Sequence, residues 1–292
     1  MPETAYNQAF YDQQADGSAL SAQVMLGCLF ERYVPASVVD VGCGVGTWLA
    51  ACRDKEVPTL LGLDGEYVDR SRLRIDGRLF RSVDIVDRNA LAAAVGGARF
   101  DLAISLEVAE HLSHVYAAAF VESLTALSDV VLFSAAIPYQ GGTRHVNEAW
   151  PEFWAILFRS QGYEIVDLFR SRLWDDRRVS FWYRQNAVLY VRRDSEAMKS
   201  FRDVGLRFPL SAVHPEMLSW ASARLGRAPE GHTERDGDIH AELVKAYRGD
   251  AGLPPRRHAY GPEFDYRYGG LGGHLPGPVR RAAKALLRAV GQ

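Results

Sequence analysis

The segment that most limits what this chain can fold into is Val38-Val39-Asp40-Val41-Gly42-Cys43-Gly44-Val45-Gly46-Thr47-Trp48, an apolar run that breaks into glycines at alternate positions before periodic sequence resumes. Glycine adopts the positive φ of a tight turn and lets backbone approach a ligand closely. The pattern therefore predicts a buried strand, a turn and a helix start in succession, with the unpaired N–H groups of the first helical turn facing the turn. Between residues 37 and 193 short apolar runs go on alternating with segments of helical periodicity, as in a parallel sheet covered by helices on both faces. Ser37–Val41, Thr59–Asp64, Leu79–Asp84, Phe100–Leu106 and Val130–Ala136 read as strands, and their near-continuous apolarity fits burial on both faces. Helices are predicted over Val115–Leu127 and Trp150–Arg159. Tyr163–Arg170 and Asn186–Arg193 flank an aromatic and charged insert rather than a helix, which predicts an antiparallel pair at one sheet edge. The expected fold class is α/β, a doubly wound seven-stranded sheet with that edge pair.

Three domains are expected: an N-terminal helix and lid over 1–36, a central domain over 37–195, and a helical and irregular extension over 196–292. In the first, Ser21–Tyr33 reads as a helix ending before Pro35, and Phe10–Ser18 as a loop or lid. In the last, residues 200–250 read as mostly helical and Gly252–Pro278 as coil. A final helix from Pro278 to Val290 would set Val279, Ala283, Leu286, Leu287 and Val290 opposite Arg280, Arg281, Lys284 and Arg288. That helix suits docking on its own domain or a partner subunit, or peripheral contact with an anionic membrane. A net charge of −2 over 292 residues gives no bulk attraction for nucleic acid. The start of the chain has no signal-like region and no apolar run is long enough to span a bilayer, so a cytoplasmic location is expected. Cys28, Cys43 and Cys52 have no paired spacing and read as reduced structural thiols.

Chemistry concentrates in Ser105-Leu106-Glu107-Val108-Ala109-Glu110-His111, just after a predicted strand. Residues three and four apart share one face of a helix, so Glu107, Glu110 and His111 are expected to converge. His145, in Gly141-Gly142-Thr143-Arg144-His145-Val146-Asn147-Glu148, follows the next strand and is expected beside them, because loops at the C-terminal ends of adjacent parallel strands meet at one crevice. Two carboxylates and two imidazoles suit a divalent cation, Mg²⁺ first, with Mn²⁺ or Zn²⁺ as alternatives. His111 or His145 acting as a metal-free general base, or a purely structural role for the cluster, are the competing readings.

The turn departs from the G-x-G-x-x-G spacing that seats a pyrophosphate, and Asp40 suits a cationic ligand better than a polyanion. With its D-x-G-x-G-x-G pattern, residues 15–195 resemble the class I S-adenosylmethionine-dependent methyltransferases. That resemblance implies a Rossmann-like methyltransferase fold and S-adenosyl-L-methionine as cofactor. It also implies cofactor contacts from Asp40, Gly42 and Gly44, with Cys43, Gly46 and Trp48 supporting the turn. Asp64, followed by Gly65, would hold the ribose hydroxyls, Asp84 and Ile85 would meet the adenine, and Leu106 and Glu107 would lie by the methionine moiety. The E-x-x-E-H pattern with a distant histidine is similar to the metal site of small-RNA 3′-terminal 2′-O-methyltransferases, and E-x-x-E-H also occurs in ubiquinone-pathway O-methyltransferases. It implies metal ligation by Glu107, Glu110, His111 and His145 and methyl transfer to a hydroxyl.

The chain lacks the Asn/Asp-Pro-Pro-aromatic motif of base N-methylation after its fourth strand. Asn147, Trp174, Trp182, Tyr183 and Gln185 supply aromatic platforms and amides suited to a polyhydroxylated acceptor. The expected function is O-methylation of a sugar, glycan or glycosylated metabolite. RNA 3′-end methylation and a non-catalytic adaptor of the same fold are the alternatives.

Overall fold

The computed structural model describes residues 4–205 and 209–224, and for 4–16, 220 and 222–224 it describes the backbone only. Strands β1 (Ser37–Val41), β2 (Thr59–Asp64), β3 (Phe80–Ser82), β4 (Leu102–Leu106), β5 (Val130–Ser134), β6 (Tyr163–Val166) and β7 (Val188–Arg192) form one seven-stranded sheet in the order β3-β2-β1-β4-β5-β7-β6. The first five run parallel, and β7 is antiparallel to both β5 and β6. This is a Rossmann-like α/β fold with the antiparallel edge that the spacing of the last two apolar runs predicts.

Side-chain alternation divides the strands between two cores. Val38, Leu60, Ile104, Leu132 and Leu189 face α1 (Thr4–Phe30) and α2 (Thr47–Asp54). Val39, Leu61, Ala103, Val131 and Val188 face α3 (Arg88–Val95), α4 (Ala117–Leu127) and α5 (Pro151–Ser160). In α1 the fully buried Ala22, Met25, Leu26 and Leu29 recur at helical spacing, and each of the larger three contributes about 2 kcal/mol by burial. The strand order reverses between β1 and β4, so the turns that leave these neighbours diverge and open a crevice at their C-terminal ends.

Two local expectations are corrected. Phe10–Ser18 is not a loop or lid but the middle of α1: helix-favouring Gln13, Gln14 and Ala15 outweigh Gly17, which costs about 1 kcal/mol relative to alanine. The insert between β6 and β7 is partly helical, with α6 (Arg170–Leu173) and α7 (Phe181–Asn186). Aromatic residues are poor helix formers in isolation, but Leu173, Val179 and Tyr183 bury against the first core and tertiary packing overrides propensity.

The chain divides into two compact units, Met1–Ala228 and Pro229–Gln292. In the first, a 3₁₀ segment (Glu196–Phe201) and α8 (Pro215–Arg224) follow β7. The coil expected over Gly252–Pro278 and the helix expected from Pro278 to Val290 lie outside the described residues. Among the described residues, no helix is long and apolar enough to cross a membrane.

Candidate active site

The turn after β1 uses its glycines for different ends. Gly42, Gly44 and Gly46 all have left-handed backbone, with φ of +82°, +52° and +80°. A Cβ on Gly42 would run into Val108 from the turn after β4, and one on Gly46 would lie 2.9 Å from Ile75, whereas one on Gly44 would meet nothing within 4 Å. Gly42 and Gly46 are therefore packing glycines, and Gly44 borders open space. Asp64, at the end of β2, accepts from the Gly44 amide (2.6 Å), the Gly65 amide (2.7 Å) and the Tyr67 hydroxyl.

Asp40 is buried with Oδ2 unpartnered. Burial, reinforced by the Asp64 charge, holds its pKa well above the usual carboxylate range. Burial and the same two carboxylates also push up the Cys43 thiol, which stays protonated and inert. Trp48 is buried edge-on to Tyr183, with ring centroids 5.3 Å apart. Asp84 is exposed two residues beyond β3 and accepts from the Val86 amide, while Ile85 and Leu106 are buried.

The expectation that Glu107, Glu110 and His111 share a helix face is corrected. Glu107 leaves β4 at φ +54°, and only Ala109–His111 form a 3₁₀ turn. The Glu107 amide donates to the Ser134 carbonyl and hydroxyl, both at 3.1 Å. Its carboxylate accepts from Gln140 Nε2 (2.8 Å) and Asn186 Nδ2 (3.2 Å). The reversed backbone sends Glu107 to these amides, and it is not one of the residues whose donor atoms cluster.

Those are Glu110, His111 and His145, whose donor atoms lie within 4.8 Å of one another. The two imidazole rings meet edge to face, with centroids 4.9 Å apart. Glu110 is fully buried and neither carboxylate oxygen has a hydrogen-bond partner. Burial, then the Glu107 charge, raises its pKa well above normal. Burial and His145 lower the His111 pKa, partly offset by a hydrogen bond to the Arg144 backbone. A buried carboxyl grouped with two imidazoles is a donor set that a divalent cation fits.

His145 reaches the cluster because its loop is tied at several points. Val146 and Asn147 amides donate to the Glu110 carbonyl (2.9 and 3.0 Å), and the Ala149 amide to the Ala136 carbonyl (3.2 Å). Glu148 accepts from the Tyr139 amide (2.8 Å) and the Gly141 amide (2.5 Å), and its Oε1 lies 3.0 Å from His145 Nδ1. A Cβ on Gly142 would strike the His145 ring. Of the four described non-glycine residues at positive φ, Glu107, Tyr139 and Arg144 lie in these two loops, and such strain gathers where surrounding structure over-determines a site.

Among the acceptor candidates, Asn147 is buried beneath the loop, with its side-chain amide 3.5 Å from the Ala109 carbonyl. Trp174 and Trp182 are half-buried, Trp174 against the His214 ring (4.7 Å). Gln185 and Tyr183 are buried. Gln185 donates to Asn186 and accepts from the His214 amide, and Tyr183 packs on Trp48, because α7 turns both inward. Sequence reasoning missed Tyr67, Gln140, Glu148 and Asn186. Only Glu148 carried a signal, as a carboxylate three residues beyond a histidine in a glycine-rich loop.

The profile of a family described as "Methyltransferase domain" matches residues 16–176. No curated protein sequence matches the chain. Similar solved structures include an O-methyltransferase family protein from Burkholderia thailandensis, with 16% identity, a TM-score of 0.47 and coverage of 66% of this chain and 62% of that one. This chain thus spans less than two thirds of that protein's length. A S-adenosylmethionine-dependent methyltransferase from Archaeoglobus fulgidus has 14% identity and a TM-score of 0.47, covering 63% of this chain and 99% of that one. The methyltransferase domain of bacterial CtHen1-C has 20% identity and a TM-score of 0.42, covering 60% and 97%.

Proposed function

The chain belongs to the methyltransferase-domain family, and from that premise we propose that it is an S-adenosylmethionine-dependent, divalent-metal-dependent O-methyltransferase acting on a hydroxyl of a sugar, glycan or glycosylated metabolite. The observation that carries this reading is the Glu110 carboxylate, fully buried, without hydrogen-bond partners and facing His111 and His145.

When bound, S-adenosylmethionine supplies an electrophilic methyl on a sulfonium. Asp64 would hold its ribose hydroxyls, at a carboxylate now capped by Gly44, Gly65 and Tyr67. The open side of Gly44 leaves room for backbone contact, and the buried Asp40 carboxyl lies beneath the turn with Oδ2 unpartnered. Asp84 and Ile85, beyond β3, would meet the adenine, and Leu106 with Glu107 would flank the methionine end.

A bound divalent cation lowers the pKa of a hydroxyl next to it. Glu110, His111 and His145 would hold it, with Glu107 alongside, its carboxylate fixed by Gln140 and Asn186. In-line transfer needs the acceptor oxygen aligned with the methyl and screened from water.

Turnover of a vicinal-diol glycoside is expected to stop on chelation and to return with Mg²⁺, Mn²⁺ or Zn²⁺, while S-adenosylhomocysteine affinity stays constant. Full activity in EDTA would overturn the metal part and leave His111 or His145 as general base.

A further inference from the structure

We propose that Glu148 is a positioning residue that fixes His145 in its Nδ1–H tautomer and so presents a bare Nε2 to the Glu110–His111 cluster. The inference rests on the proposed O-methyltransferase reading for its purpose but not for its measurement. Glu148 sits outside the cluster and touches it only through His145.

Neutral imidazole carries one proton on either nitrogen, and the hydrogen bond made by one nitrogen decides the role of the other. In solution the Nε2–H form is the more populated, which would turn an N–H, useless to a cation and to a transferable proton alike, toward the cluster. Here Nδ1 lies 3.0 Å from Glu148 Oε1 in a shielded contact, with the two side chains 12% and 19% exposed. The same carboxylate already accepts from the Gly141 and Tyr139 amides. A group so surrounded by donors acts as an acceptor, so the proton between it and His145 belongs to Nδ1. With Nδ1 occupied, Nε2 is the nitrogen left for the cluster.

The backbone is built to keep this pair. Tyr139 is held at φ +71° with its amide on Glu148, and Arg144 at φ +61° next to His145. Both cost strain that a relaxed loop would shed. Gly142 leaves the space in which the ring stands, since a Cβ there would fall on the Nε2 edge. A histidine whose second nitrogen is held by a carboxylate is the arrangement that orients ring and tautomer in metal sites, where loss of the partner lowers metal affinity roughly 10–100-fold.

The test uses the full chain with ¹⁵N-labelled histidine, read by long-range ¹H–¹⁵N correlation at a pH above ordinary histidine titration. Wild-type His145 should show a protonated Nδ1 and a bare Nε2. Glu148→Ala should move the proton to Nε2 and weaken Mn²⁺ binding, followed by electron paramagnetic resonance, roughly 10–100-fold. Glu148→Gln, whose amide oxygen still accepts one N–H, should keep the tautomer and lose less. S-adenosylhomocysteine affinity should match wild type in both, reporting an intact fold. If Glu148→Ala does not fold, the wild-type tautomer decides alone. A wild-type proton on Nε2, or an unchanged tautomer in Glu148→Ala, would overturn the proposal. The expected tautomer in a wild type that binds no Mn²⁺ would uphold Glu148 as the positioning residue and sink the metal reading instead.

Discussion

The turn after β1 and the loop after β5 both bend through positive φ at the open end of the sheet, yet they are stabilised by opposite means. In the first, glycines take the left-handed positions, where they cost no steric strain. A single carboxylate from the neighbouring strand, Asp64, grips the turn at Gly44. In the second, Tyr139 and Arg144 take those positions, at about 1 kcal/mol or more each. That strain is offset by Glu148 within the loop and by the Glu110 carbonyl beneath it. The first is shaped by its own glycines, which fit closely against Val108 and Ile75. The second exists only while β4, β5 and their loops are docked, so it ties the placement of His145 to the integrity of the fold.

Four substitutions would break or sharpen this contrast. The largest effect is expected from Gly42→Ala, which combines a forbidden φ with a collision against Val108. A loss of about 3 kcal/mol is expected in denaturant unfolding, with partial recovery when Val108→Ala clears the space. If the double variant is no better than the single, the collision is not what fixes the turn.

Asp64→Ala should weaken S-adenosylhomocysteine binding by about 3 kcal/mol, roughly 100-fold, through loss of charge-assisted hydrogen bonds. Calorimetry reads it, and an unchanged affinity would remove Asp64 from the cofactor site. In the second region, Gly142→Ala should displace the His145 ring and lower Mn²⁺ affinity roughly 10-fold while leaving S-adenosylhomocysteine affinity alone. A parallel loss of both ligands would show that the two regions are one mechanical unit.

The smallest effect is one of slope. Burial raises the Glu110 pKa above its ordinary value of 4.5, so between that value and the folded-state value the native chain holds a proton that the unfolded chain has lost. Stability contributed by this group is full below about pH 4.5 and declines as pH rises through the folded-state pKa. In metal-free protein Glu110→Gln should remove that decline and raise stability near neutrality. An unchanged slope in urea melts across that range would show that Glu110 is solvated or partnered after all.

Much of the fold can be read from the residues because strand burial and turn chemistry are local properties. The Val-rich run before Gly42 is confined to both faces of a sheet, and alternate glycines at left-handed φ leave few other turns open to it. The order of acids at strand ends, Asp40, Asp64 and Asp84, follows from the same punctuation. Where the reading failed, a tertiary contact had outweighed a local preference. Gln185 and Tyr183 lie in an aromatic insert that gives no helical signal, but α7 docks and turns them inward. Glu107 looks like the first ligand of a helical face, but its amide donates to Ser134 and the Gln140 and Asn186 amides capture its carboxylate as the chain reverses.

The sequence by itself determined the parallel sheet with its antiparallel edge, the glycine turn between β1 and α2, and the stock of carboxylates and imidazoles placed after β4 and β5. Only the tertiary structure decided which of them meet. Glu110 joins His111 and His145 because backbone amides of Val146 and Asn147 clasp its carbonyl across 36 and 37 residues of chain. Contacts at that separation depend on how strands are ordered and loops cross, and no residue spacing encodes them.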